Sequence, residues 1–270
     1  MPEVDREGVS LAYETGGPVD GDPVVLIEGL GYSRWMWRWQ RESLEGRYRT
    51  VLPDNRGTGE SDAPPGPYSM DQFTADLDAV LADAGVEAGH LVGASLGGMI
   101  AQQYALEYDR AASLVLLCTT HGGESAVPIP PDIQDQILNV PADLDERQSI
   151  KYKMRPAMTD EFWEENLDLI ERIVDWRLET DAPERARQAQ AAAVQGFDVA
   201  DRIGELSLPV LVMHGTADRV VPIENARRLH ERFDRSELEL FEGGPHLFFI
   251  EQADRVDERI RRFLDSHATG

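Results

Sequence analysis

Residues 89–106 read GHLVGASLGGMIAQQYAL, an apolar run followed by a glycine-rich turn and an amphipathic run. The apolar run favours a buried strand, and the amphipathic run favours a helix. The turn contains the pattern Gly-x-Ser-x-Gly around Ser95, in the strand–turn–helix context that this pattern requires. We therefore predict that Ser95 has a strained backbone and presents its hydroxyl at the carboxyl edge of a sheet. The alternative is a glycine-rich turn with an incidental serine, and the residues that follow must decide between the two.

A serine hydroxyl becomes a good nucleophile only when a base takes its proton and an acid orients that base. In chains with this pattern, the acid and the histidine follow the serine. Asp218 comes after the predicted strand 209–213, and His246 lies in the loop after the predicted strand 237–241. Because such loops meet at one edge of a parallel sheet, we predict a catalytic triad of Ser95, His246 and Asp218. Taken alone, Asp218 would be an ordinary turn residue and His246 an ordinary loop histidine.

Two backbone amides are candidates for an oxyanion hole. Leu96 follows the serine at the start of the predicted helix, where N–H groups favour an anion. Leu30 lies in the loop that follows the predicted strand 23–28. We expect the N–H groups of Leu30 and Leu96 to bind a developing oxyanion together.

The chain resembles the α/β-hydrolase superfamily from about residue 8 to about residue 265. The resemblance rests on the residues above, on the stretch DNRGTGES at 54–61 and on Cys118-Thr119-Thr120. Within it, the chain is similar to the esterase and 3-oxoadipate enol-lactonase branch. The resemblance implies an α/β-hydrolase fold with a mainly parallel central sheet of about eight strands flanked by helices. One departure is Glu28-Gly29 in the oxyanion loop, where most relatives have His-Gly.

The alternation of strand-like and helix-like segments supports the same fold class. This alternation stops between residues 118 and 209, where several prolines precede helix-periodic stretches at about 144–154, 159–178 and 183–195. We therefore expect a core formed by residues 1–121 and 201–270, with a helical cap inserted at 122–200.

The chain of 270 residues carries a formal net charge of −24, from 50 acidic and 26 basic side chains. Only two of the basic residues are lysines, Lys151 and Lys153. An acid excess with scarce lysine resembles proteins of salt-loving organisms, although an acidic mesophilic protein would have the same composition. The charge disfavours nucleic acid and anionic membranes as partners.

The N-terminus lacks a basic region followed by an apolar one, and no stretch of about 18 apolar residues occurs. We therefore expect a cytoplasmic protein without membrane contact. The single cysteine, Cys118, and six histidines without close ligand spacing predict no metal site and no cofactor. The expected partner is a small-molecule ester or lactone, and assembly into a homodimer is left open.

Four residues are candidates for the substrate pocket: Glu28 and Gly29 in the oxyanion loop, Trp35 shortly after it, and His121 after the predicted strand 113–118. Glu28 either turns its carboxylate towards the pocket or turns away and accepts hydrogen bonds from the backbone. The two orientations lead to different substrate preferences.

The expected activity is that of a serine carboxylesterase acting on small uncharged esters. Enol-lactone hydrolysis is the main alternative, but its substrate is a dianion, which Glu28 would repel unless Arg34 or Arg155 compensated. Ser95 argues against superfamily members with an aspartate nucleophile, such as haloalkane dehalogenases and epoxide hydrolases. Less expected are cofactor-free perhydrolase or haloperoxidase chemistry, and a ligand-binding receptor without turnover.

Overall fold

The computed structural model describes residues 1–268 and contains an eight-stranded sheet with the order β1-β2-β4-β3-β5-β6-β7-β8. The first two strands and their contact with β4 are antiparallel, and the remaining neighbours are parallel. The expected mainly parallel sheet of about eight strands is therefore confirmed. The strands are β1 (Glu3–Arg6), β2 (Val9–Gly16), β3 (Pro23–Ile27), β4 (Arg49–Pro53), β5 (Gly89–Ala94), β6 (Ala111–Leu117), β7 (Val210–Gly215) and β8 (Ser236–Phe241).

Helices cover both faces of the sheet, because its central strands are buried along their whole length and need apolar cover on each side. Among residues 1–268, no helix combines the length and the apolar character needed to cross a membrane. Outside the β6–β7 connection, the helices are α1 (Arg38–Leu44), α2 (Met70–Asp83), α3 (Leu96–Glu107), α9 (Glu224–Arg232), α10 (Phe248–Glu251) and α11 (Ala253–Asp265).

The connection between β6 and β7 is helical, as the sequence predicted. Its helices are α4 (Pro131–Leu138), α5 (Glu146–Met154), α6 (Asp160–Glu165), α7 (Leu167–Thr180) and α8 (Glu184–Gly196). The stretch predicted as one helix over 159–178 divides at Asn166, and α4 was not predicted.

The two ends of this helical connection lie side by side. Gly122 and Asp198 form an isolated antiparallel bridge, and the N–H of Val199 donates to the carbonyl of His121 at 3.0 Å. The chain therefore leaves and re-enters the sheet region close to the limits expected for the insertion, 122–200. The division into core and cap stays a prediction, and the last two residues of the expected core, 269–270, lie outside the described residues.

Candidate active site

Ser95 lies in a strained turn between β5 and α3. Its φ of 53° and ψ of −114° are unusual for any residue other than glycine. The Ser95 N–H donates to the carbonyl of Leu117 at 2.9 Å, and Thr119 Oγ1 donates to the carbonyl of Ser95 at 2.7 Å. Contacts from β6 and the residues after it therefore hold the strained conformation that the sequence predicted.

The glycines around Ser95 allow backbones to approach each other closely. A Cβ atom at Gly97 would overlap the carbonyl oxygen of Ile27 at the end of β3. A Cβ atom at Gly93 would overlap the carbonyl of Gly97 itself. Only glycine fits these two positions, and their packing sets the sharp angle between β5 and α3.

Asp218 and His246 lie on the loops after β7 and β8 and form a hydrogen-bonded pair. His246 Nδ1 is 2.8 Å from Asp218 Oδ2, and only 10% of the His246 side chain is exposed. The other carboxylate oxygen, Oδ1, accepts hydrogen bonds from the N–H groups of Val220 at 2.8 Å and Val221 at 2.9 Å. The carboxylate is thus fixed on one side by the backbone and faces the imidazole with the other.

A second histidine, His214 in β7, approaches the same carboxylate. Its Nε2 lies 3.2 Å from Asp218 Oδ2 and 2.8 Å from the carbonyl oxygen of Val221. Burial alone would raise the pKa of Asp218, but the charge and hydrogen bonds of His246 and His214 outweigh it and hold that pKa well below its usual range. Asp218 is therefore an ionised, fully hydrogen-bonded partner for the imidazole of His246.

A cavity of about 500 Å³ opens in front of Ser95, and we call it the Ser95 cavity. His246, Gly29 and Leu30 line it together with Ser95, so loops from three strands meet there. Many other lining residues are apolar and belong to the β6–β7 connection. They are Ala126, Val127, Pro128, Ile129, Ile137, Ala157, Val194 and Phe197.

Of the two amides expected to form an oxyanion hole, that of Leu96 directly follows Ser95, and that of Leu30 belongs to the loop after β3. Leu96 is the first residue of α3, so its N–H has no partner within the helix. Leu30 lines the Ser95 cavity, and among residues 1–268 no acceptor receives its N–H. Both groups are available as donors.

Among residues 1–268, no three His, Cys, Asp or Glu side chains are placed to hold a metal ion.

The Glu28 side chain does not reach the Ser95 cavity, and its assignment to the substrate pocket is wrong. It is completely buried, and its Oε1 accepts hydrogen bonds from the N–H of Asn55 and from Thr58 Oγ1. Burial, and then the nearby carboxylate of Asp54, raise the pKa of Glu28 well above its usual range. The argument against anionic substrates therefore loses its premise.

Trp35 and His121 also fall outside the described lining of the Ser95 cavity, contrary to expectation. Trp35 lines a separate polar cleft, and its Nε1 donates to Asp181 Oδ1 at 2.8 Å. His121 is completely buried, with Nδ1 2.8 Å from the carbonyl oxygen of Gly122. Both side chains are buried and are held by hydrogen-bonding partners, Asp181 for Trp35 and the Gly122 carbonyl for His121.

Sequence reasoning missed the charged side chains that do line the cavity, which are Lys153, Arg177 and Arg187. They come from α5, α7 and α8, whose periodicity shows a polar face but not which element that face meets. Arg34 and Arg155, which the sequence suggested as compensating charges, instead pair with acidic neighbours outside the cavity.

Comparison with known proteins agrees with the fold described above. A family model described as the alpha/beta hydrolase fold matches residues 22–253. A putative non-heme chloroperoxidase of Synechocystis sp. is 29% identical, with 95% of each chain covered. The 3-oxoadipate enol-lactonase 2 of Acinetobacter baylyi is 27% identical, with 96% of this chain and 94% of the relative covered. The solved structure of a thermophilic esterase from Thermogutta terrifontis with malate bound has a TM-score of 0.82, 29% identity and 99% of both chains covered.

Proposed function

The chain belongs to the α/β-hydrolase fold family, and from that premise we propose that it is a serine hydrolase of carboxylic esters or lactones. One observation carries the proposal: Ser95 lies in a strained turn and lines the same cavity as His246, whose imidazole is hydrogen-bonded to a buried carboxylate. Relatives that hydrolyse esters and lactones support the same reaction class.

The proposed mechanism begins with attack of Ser95 Oγ on the carbonyl carbon, while His246 Nε2 takes the hydroxyl proton. Asp218 keeps the Nδ1 proton of His246 in place and stabilises the imidazolium that forms. His246 then gives its proton to the leaving alcohol, and an acyl group remains on Ser95. Water, activated by His246, releases the acid and restores the serine hydroxyl.

The N–H groups of Leu30 and Leu96 bind the oxyanion in this mechanism. Each such donor typically contributes about 3 kcal/mol of transition-state stabilisation. Backbone amides supply both hydrogen-bond donors, so the replacement of the usual histidine by Glu28 leaves these donors unaffected.

We further propose that residues 122–200 act as a cap on the core, since they supply much of the apolar cavity lining.

Lactone hydrolysis is the second candidate, because it uses the same attack and leaves the alcohol tethered to the acyl group. The specific observation that favours it is the basic lining of the Ser95 cavity, which suits the charged substrate of an enol-lactonase. The sequence-based preference for uncharged esters assumed that Glu28 faces the pocket. Since the Glu28 side chain is buried elsewhere, that preference no longer counts against a charged lactone.

The test is Ser95→Ala, assayed with p-nitrophenyl butyrate. We expect kcat to fall by about three or more orders of magnitude, with an unchanged circular dichroism spectrum, because only the nucleophilic oxygen is removed. A serine-directed phosphonate is expected to label the wild-type chain once, at Ser95, as read by mass spectrometry. Wild-type turnover by pure Ser95→Ala protein, or labelling of another residue, would refute the proposal.

A further inference from the structure

All charged side chains that line the Ser95 cavity among the described residues are basic: Lys153, Arg177 and Arg187. No aspartate or glutamate of residues 1–268 joins them. The chain as a whole has 50 acidic and 26 basic side chains, so the cavity reverses the overall charge balance. A positive cavity in a strongly negative protein attracts anions selectively.

Two of these three cations are already neutralised by the protein. Arg177 Nε donates to Asp181 Oδ2 at 2.7 Å, and both side chains are only 4% exposed. The other oxygen of Asp181 accepts from Trp35, so this carboxylate is fully used. Lys153 Nζ lies 3.3 Å from Glu184 Oε2 at the protein surface.

Arg187 is different, because its side chain has neither a hydrogen bond nor a close ion pair among residues 1–268, although the carboxylates of Asp181 and Glu184 attract it at longer range. Its Nε is buried without an acceptor. Burial, and then repulsion by Arg177, lower the pKa of Arg187. A partly buried guanidinium whose Nε lacks an acceptor is costly, and it favours an incoming anion because part of its desolvation has already occurred.

The position of Arg187 relates this cation to the reacting centre. A Cβ atom placed on Gly31 would lie 3.3 Å from Arg187 Nε, so the guanidinium packs directly against the loop residue after Leu30. Gly31 has no Cβ, which leaves room for this contact, and its φ of 76° disfavours any residue with a side chain. Neighbouring Cα atoms are about 3.8 Å apart, so the guanidinium lies within roughly 10 Å of the Leu30 N–H.

This contact is fixed by hydrogen bonds between the loop and the helical connection. The Gly31 N–H donates to Gln190 Oε1 at 2.8 Å, one turn from Arg187 on α8. The Ala182 N–H donates to the Gly31 carbonyl at 3.0 Å. Arg187 is therefore held in a defined place beside the oxyanion loop.

We propose that Arg187 is the anion-binding residue of the Ser95 cavity and that the substrate is an ester or lactone whose acyl part carries a carboxylate a few bonds from the scissile carbonyl. This inference rests on the proposed hydrolase function. The planar guanidinium pairs with both oxygens of a carboxylate, and the apolar lining accommodates the hydrocarbon between the two groups.

The experiment compares monoethyl glutarate with ethyl pentanoate, which has a methyl group in place of the carboxylate. Acid release is followed in a pH-stat for wild type, Arg187→Gln, Arg187→Lys and the control Arg185→Gln. Arg185 is exposed on the same helix and is not among the lining residues, so the control removes an equal charge nearby.

We expect the ratio of kcat/KM for the anionic ester to that for the neutral ester to fall about 10- to 100-fold in Arg187→Gln, the size of one charge-assisted hydrogen-bonded pair. The ratio is expected to be intermediate in Arg187→Lys and unchanged in Arg185→Gln. If Arg187 only packs against the loop, both esters lose activity equally in Arg187→Gln and the ratio stays constant, which would overturn the proposal.

A binding measurement separates this proposal from the proposed function. Glutarate is expected to raise the Tm of the Ser95→Ala protein and to have a much smaller effect on the Ser95→Ala/Arg187→Gln protein. An equal effect on both proteins overturns the anion site, whether or not the wild type hydrolyses either ester. If the wild type hydrolyses neither ester, the proposed hydrolase function is overturned, while the anion site is still judged by the Tm measurement.

Discussion

Replacing Asp218 by asparagine tests the orientation of the proposed base through four hydrogen-bonding contacts. Oδ1 of Asp218 accepts from the N–H groups of Val220 and Val221, while Oδ2 faces His246 Nδ1 at 2.8 Å and His214 Nε2 at 3.2 Å. Asparagine has one oxygen. With that oxygen on the two backbone N–H groups, its NH₂ group faces the imidazole nitrogens.

The expected consequence is a change of tautomer at His246. An NH₂ group at the Oδ2 position can only donate, so His246 Nδ1 loses its proton and Nε2 carries it instead. A protonated Nε2 cannot take the proton of Ser95. An amide in place of the triad carboxylate typically lowers kcat by about 10⁴-fold, which corresponds to about 5 kcal/mol of transition-state stabilisation.

The assay is kcat for p-nitrophenyl butyrate together with the rate of phosphonate labelling, since both require His246 as base. Asp257→Asn is the matched control, because Asp257 is also a buried carboxyl, is hydrogen-bonded to Gln40 and is not among the residues that line the Ser95 cavity. We expect near wild-type kcat in the control. An Asp218→Asn protein within tenfold of wild type, alongside an inactive Ser95→Ala protein, would refute the role of Asp218.

Two further predictions concern stability. Burial raises the pKa of Glu28 above the unfolded value of about 4.3, so its contribution to stability is present below about pH 4 and is lost as pH rises through the folded pKa. Glu28→Gln does not titrate, and its Tm relative to wild type is expected to increase from about pH 5 to about pH 9; a pH-independent difference would contradict this. The net charge of −24 predicts a Tm that rises from dilute buffer to about 1 M KCl, where the screening length is about 3 Å, and a Tm independent of salt would argue against adaptation to high salt.

Much of the reacting centre was predictable because its signals are local. The strand, the glycines and the helix around Ser95 are contiguous, and only one backbone geometry satisfies all three. Asp218 could be placed because it follows an apolar run typical of a buried strand, and His246 because it follows the alternating strand pattern ELELF at 237–241. Parallel strands then bring their carboxyl ends together whatever the remaining sequence is.

The orientation of individual side chains was decided by tertiary contacts. Glu28 turns away from the Ser95 cavity because Asn55 and Thr58, on the loop after β4, provide its hydrogen-bond donors. Trp35 turns towards Asp181, at the end of α7, far along the chain. No pattern near either residue reveals those partners.

The charge of the cavity was likewise invisible in the sequence. Composition gives an acidic protein, whereas the packing of the helical connection places Arg177 and Arg187 in the lining of the cavity that holds the proposed nucleophile. Helical periodicity fixes which residues share a face, but not the element that this face meets. The sequence by itself therefore determined the α/β framework and the candidate nucleophile, base and acid, since these depend on contiguous residues and on the parallel order of the strands. Only the tertiary structure decided which charges surround them, because that depends on contacts between segments more than a hundred residues apart.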